Sequence, residues 1–208
     1  TATISVLARK SRKASEQEAT DYVAAMLLAI SMMFLRFMIL ILIFSREIFL
    51  SIYPYLLTMA VVAAIVAWFI HSRQKRSNDQ PVEAEEDDSS NPLEFKVALI
   101  FAVLFVVFTF LTHYTLVYAG TGGLNLLSFV SGFSDITPFI LNLLQNTGSV
   151  AALIITACSM QAIISNIMVN MFYALFFAGK GSKLRPWILG GFGVVIACNL
   201  VLLLFFYI

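Results

Sequence analysis

The stretch Ser131-Gly132-Phe133-Ser134-Asp135-Ile136-Thr137-Pro138 decides how the chain is read. It places a carboxylate, hydroxyls, a glycine and a proline inside an apolar run. The flanks, Leu124 to Val130 and Phe139 to Leu144, are apolar enough for lipid but short. A helical crossing needs about 20 residues, so neither flank spans alone. Thr137 followed by Pro138 predicts an N-cap and a first-turn proline, hence a new helix starting there. Gly132 is placed to end the helix before it. Leu124 to Gln145 therefore reads as two half-helices meeting at a polar break. Broken backbone at membrane depth is tolerated only where protein buries it or where it lines a cavity.

Working outward, the composition matches that setting. The chain has 208 residues, 60% of them hydrophobic and 12% charged, with a mean hydropathy of +0.90. These values describe an all-α integral membrane protein. A net charge of +1 leaves no basic footprint for nucleic acid. Cys158 and Cys198 both lie in apolar runs and read as packing residues, since a metal site would need further ligands nearby. The start at Thr1 shows no basic region followed by an apolar core, so no cleavable signal peptide is expected.

Five apolar runs are long enough to span: Tyr22–Phe44, Ile48–Ile70, Phe95–Tyr118, Val150–Phe177 and Trp187–Tyr207. Arg46-Glu47 forms a tight loop between the first two, and Pro54 falls in the first turns of the second, where it does little harm. His71 to Glu94 is polar, basic at Arg73, Lys75 and Arg76, then acidic from Glu83 to Asp88. Low hydrophobicity and blocks of like charge predict a disordered linker. Ala119 to Gly123 is an uncharged, flexible turn. Residues 1–71 thus form a first half, 72–94 a cytoplasmic linker and 95–208 a second half containing the broken element.

The basic segments 9–13, 73–76 and 180–185 belong on the cytoplasmic side. Placing all three there puts both ends of the broken element outside, so it is expected to be re-entrant. The order of parts also repeats. Thr1-Ala2-Thr3-Ile4-Ser5-Val6-Leu7 precedes two spans, as does Thr137-Pro138-Phe139-Ile140-Leu141-Asn142-Leu143. The halves would be inverted, an arrangement that transporters use around a midplane site. The first half lacks the opening span, which predicts a neighbouring copy, hence a homo-oligomer, or a further span preceding Thr1.

Ala2 through Lys13, Phe34-Leu35-Arg36, Asn91-Pro92 and Leu127-Ser128-Phe129-Val130-Ser131-Gly132-Phe133-Ser134-Asp135 together resemble an uncharacterised bacterial membrane domain. That domain is often found after an MgtC/SapB domain. The resemblance covers nearly the whole chain and implies a multi-pass protein of the bacterial inner (cytoplasmic) membrane. Members usually continue upstream of Thr1. The family pattern has a second acid where this chain has Thr137, and a lysine where it has Asn170.

Arg36 sits mid-span, where a bare charge costs about 2.5–3.5 kcal/mol on insertion scales. It is expected to face the bundle interior and pair, with Asp135 the natural partner. Asp135 is otherwise a helix cap, or a cation ligand if a cation is bound. Gln161, Ser165, Asn166 and Asn170 form a polar stripe that must face protein or water. With Ser134, Thr137, Thr3 and His113 these residues are the candidate pathway. The expected function is a membrane transporter or channel for a small ion or polar solute, with its site at the break around Ser134–Thr137. The alternative is a non-transporting assembly or partner-binding module. No Ser/His pair, HExxH motif or second acid at depth suggests an enzyme, and no cofactor is expected.

Overall fold

A computed structural model describes Ile4, Leu7 and residues 16–72, 92–145, 150–178 and 184–207. All regular structure among these residues is α-helix: α1 Glu16–Phe44, α2 Arg46–Ser72, α3 Pro92–Ser131, α4 Ile136–Gln145, α5 Ala152–Ala178 and α6 Arg185–Tyr207. Five of the helices are long and apolar enough to cross a membrane, and α4 is the short sixth. The expected count of five spans plus one broken element holds. The chain is an all-α, multi-pass membrane protein.

Several boundaries are tighter than the sequence suggested. Ser45 alone separates α1 from α2. Its N–H donates to the Ile41 carbonyl (2.9 Å), and its hydroxyl oxygen accepts from the Ile48 N–H (3.4 Å). One residue thus closes one helix and caps the next. Because α2 already starts at Arg46, Pro54 lies in the helix interior rather than in its first turns. It cannot bond the Leu50 carbonyl, yet the helix continues, and the Thr58 hydroxyl donates to the Pro54 carbonyl (2.6 Å).

The expected flexible turn at 119–123 is a single residue. Gly120 adopts φ 57°, ψ −147° while the residues on both sides stay helical. Side chains rarely enter that region of backbone space, so glycine is what permits the bend. The chain folds back sharply enough that a Cβ on Gly123 would overlap the Ala119 and Thr115 side chains. Helix α3 therefore has two limbs, residues 92–119 and 121–131.

Helix ends sort onto two sides. Gly191 of α6 nests against Leu27 of α1 and Ile70 of α2, where an added Cβ would meet their methyls at 2.8 and 3.2 Å. The Asp21 carboxylate and His71 Nδ1 lie 2.9 Å apart. The start of α1, the end of α2 and the start of α6 thus share one end, and each adjoins one of the basic segments. Segments 9–13, 73–76 and 180–183 lie outside the described residues, as does most of the expected disordered linker 72–94; its described ends are helical instead, with Ser72 closing α2 and residues 92–94 opening α3. Thr3 also lies outside the described residues. Ile4, just after it, is buried in the core.

Helix α1 buries Val23, Leu27, Ile30, Phe34, Phe37 and Ile41, at three- and four-residue spacing along one face. Arg36 is off that face and exposed. The expectation that it points into the bundle interior is corrected here, because the apolar stripe sets the rotation of the helix.

Candidate functional site

The break forms where the second limb of α3 meets α5. That limb ends in tightened turns: Gly132, Phe133 and Ser134 donate their N–H groups to the carbonyls of Phe129 (3.3 Å), Val130 (3.1 Å) and Ser131 (3.0 Å). Three-residue closures of this kind tighten a helix end and satisfy some of its last carbonyls. Gly132 is required for contact, not for φ. A Cβ there would overlap the Ser165 side chain and come within 2.7 Å of the Asn166 backbone nitrogen.

Helix α4 then starts at Ile136, two residues before the expected start, and its cap is Asp135 rather than Thr137. Asp135 Oδ1 accepts from the Thr137 N–H (3.0 Å) and from the Thr137 hydroxyl (2.7 Å). A carboxylate satisfies a free helix-start N–H and suits the positive end of the helix dipole, so it displaces threonine from the capping role. Pro138 remains in the first turn, where its missing N–H is harmless.

The polar stripe of α5 faces the broken element along its length. The Cys158 thiol donates to Asn125 Oδ1 (3.4 Å), and Gln161 Oε1 lies 3.0 Å from the Ser128 hydroxyl. The Ser165 hydroxyl donates to the Phe129 carbonyl (2.6 Å). The Asn166 amide donates to the carbonyls of Gly132 (3.1 Å) and Ser134 (3.4 Å). Behind it, the Asn170 amide donates to Asn166 Oδ1 (3.0 Å). Asn170 is 1% exposed, and its own Oδ1 is buried without a partner among the described residues. The amide bonds in this chain all run toward the break, and Asn170 Oδ1 is left as an acceptor.

These contacts also determine which way α4 runs. Positions 125, 128 and 132 meet 158, 161 and 166 in ascending order, so the limb runs parallel to α5 and ends near its middle. Asn166 is about 21 Å along α5 from Ala152, and α4 is about 15 Å long, at 1.5 Å per residue. If α4 continued in the same direction, the chain would have to return about 36 Å, yet Gln145 to Ala152 reaches at most about 25 Å fully extended. Helix α4 must therefore turn back toward the start of α5. The element enters and leaves at the same end, as expected of a re-entrant pair.

Residues 92–119 brace α4 from its other side. Phe108 packs against Phe139 at 5.7 Å between ring centroids, and the Asn142 amide donates to the Thr109 hydroxyl (2.7 Å). Arg36 reaches the break from α1, where its Nη2 donates to the Thr137 hydroxyl oxygen at 3.4 Å. Arg36 and Asp135 are thus linked through one threonine, with no direct ion pair between them among the described residues. Both are exposed. His113 is not drawn into this arrangement: it is exposed on α3, with its ring edge toward Tyr114 (5.9 Å).

Of the candidate residues, the structure brings together Ser134, Asp135, Thr137, Arg36, Asn166 and Asn170, with Gln161 two turns away on α5. Sequence reasoning missed Asn125, Ser128, Asn142 and Thr109. The signal for the first two was their spacing with Gly132, which keeps all three on one helix face. Cys158 and Cys198 are free thiols, in keeping with a packing role. No group of three or more His, Cys, Asp or Glu side chains that could hold a metal comes together among the described residues.

The chain resembles an uncharacterized protein of Aquifex aeolicus (strain VF5), with 24% identity over 154 residues, covering 73% of this chain and 67% of that protein. No solved structure matches it. A broken helix pair, a parallel amide-rich helix and five membrane-length helices thus come with a sequence match across residues 1–178, and by that match the chain belongs to the DUF4010 family, a domain of unknown function.

Proposed function

We propose that this protein is a membrane transporter or channel for a small ion or polar solute, with its site at the break around Ser134–Thr137. The observation that carries this reading is the amide chain from the break to Asn170, which ends in a buried acceptor with no partner among the described residues. Burying such an acceptor unsatisfied costs about 1–3 kcal/mol, and transient occupancy by a donor or a cation would offset that cost. The Asp135 carboxylate adds a second acceptor at the break, so a cation or a hydrogen-bond donor suits the site better than an anion. Further support comes from the order of parts. Ile4 and Leu7 precede α1 and α2 as α4 precedes α5 and α6, which fits two inverted halves with a site between them. Bacterial inner-membrane residence and a homo-oligomeric assembly belong to the same reading.

One feature favours the alternative, a non-transporting assembly or partner-binding module. The end of the first half-helix is closed by Asn166 and the start of the second by Asp135. Both ends are therefore satisfied within the protein. Flux of monovalent and divalent cations into proteoliposomes separates the two readings. Asp135→Asn and Asn170→Leu should each lower flux at least tenfold with the protein still folded. Flux unchanged in both variants, or absent from the folded wild-type protein, overturns the transport reading.

A further inference from the structure

Exposed apolar side chains on the outside of this bundle need no protein partner, because lipid is as apolar as they are. Exposed charges at membrane depth do. Arg36 and Asp135 are such a pair, of opposite sign, near one another and both exposed; among the described residues Arg36 bonds only the Thr137 hydroxyl, and Asp135 only the Thr137 N–H and hydroxyl. Arg36 offers five donors in a planar fork, of which one N–H to a neutral hydroxyl at 3.4 Å occupies little. Around them lie Met32 and Ile39 on α1 and Phe133 at the break, exposed by 64%, 56% and 62%.

A patch carrying one positive and one negative group is self-complementary. A two-fold axis beside it sets each charge against its opposite on another copy, which is the geometry of an isologous interface. We propose that a second copy of this chain docks on the face formed by Met32, Arg36, Phe133 and Asp135. Arg36 of each copy then pairs with Asp135 of the other, and the site at the break is closed by both copies. The inference takes the location of the site from the transport reading, but assembly rather than flux tests it.

Charge reversal distinguishes pairing between copies from pairing within one. Arg36→Asp alone sets two acids against two acids across the axis, and Asp135→Arg alone sets bases against bases. Each variant by itself should be monomeric in detergent by light scattering, where the wild type is dimeric. Co-expressed with different tags, the two variants should co-purify at least tenfold above either self-pair, because both crossed contacts are again opposite in sign. A pair confined to one chain gives no recovery on co-expression, and that result overturns the proposal. A second measurement keeps all native charges. In a background with Cys158 and Cys198 replaced by alanine, Met32→Cys should cross-link to a dimer in membranes, whereas Trp68→Cys on α2, which is 69% exposed, should not. A monomeric wild type, or cross-linking through Trp68→Cys but not Met32→Cys, also overturns it.

Discussion

Helices α5 and α3 invert what a water-soluble protein teaches. In the stretch of α5 that would cross a membrane, 67% of residues are buried, against 11% in α3. Yet α5 is the less apolar of the two, carrying Gln161, Ser165, Asn166 and Asn170. In water the most apolar helix goes to the centre because burial removes apolar area from solvent. In lipid that drive between helices is absent, and backbone or side-chain polar groups must find partners inside the protein. The amide-bearing helix therefore takes the core, and the first limb of α3 stays at the periphery. That limb touches the body through Phe108 and Thr112, with Leu104 and Leu116 partly packed on the same side at four-residue spacing.

If α5 is central because the broken element runs down and back along it, labelling is all or none. Cysteines at Gly122 and Ala151 should react from one face of the membrane and a cysteine at Ser72 from the other. Reaction of Gly122→Cys and Ala151→Cys from opposite faces would mean that the broken element crosses, and the comparison collapses.

The next effect is steric. Gly132→Leu drives a side chain into Ser165 and the Asn166 backbone, and backbone cannot step aside as a flexible side chain can. We expect destabilisation of about 3 kcal/mol or more, read as a large drop in melting temperature in detergent. Gly190→Ala, which meets nothing within 4 Å, should melt with the wild type. Equal melting of the two glycine variants would mean that α5 and the limb are not in close contact.

Smallest is the contrast between polar and apolar positions. Asn166→Leu strands the Gly132 and Ser134 carbonyls and should cost about 1–3 kcal/mol, although it makes the helix more apolar. Phe110→Ala on α3, at a side chain 59% exposed, should change stability by less than about 0.5 kcal/mol. A reversed order in thermal unfolding would show that apolar area, not polar satisfaction, governs this fold.

Much of this was legible in the residues. Length and hydropathy determine the five spanning helices, because a bilayer sets the number of apolar residues that a crossing needs. The run from Ser131 to Pro138 by itself marks the break, since a glycine, hydroxyls and a carboxylate there end one helix and start another. The stripe on α5 was readable as a face that must meet protein, since its spacing follows the helix period. Tertiary structure decided the rest. Whether Arg36 points inward depended on how α1 rotates to bury Phe34 and Phe37 against its neighbours, and a lone charge carries no such vector. That Asp135 rather than Thr137 caps α4 depended on where the tightened turns at Gly132 to Ser134 release the chain. The chain of amides ending at Asn170 also required the limb and α5 to lie parallel and in register, a pairing of residues some 34 positions apart in sequence that no local pattern encodes.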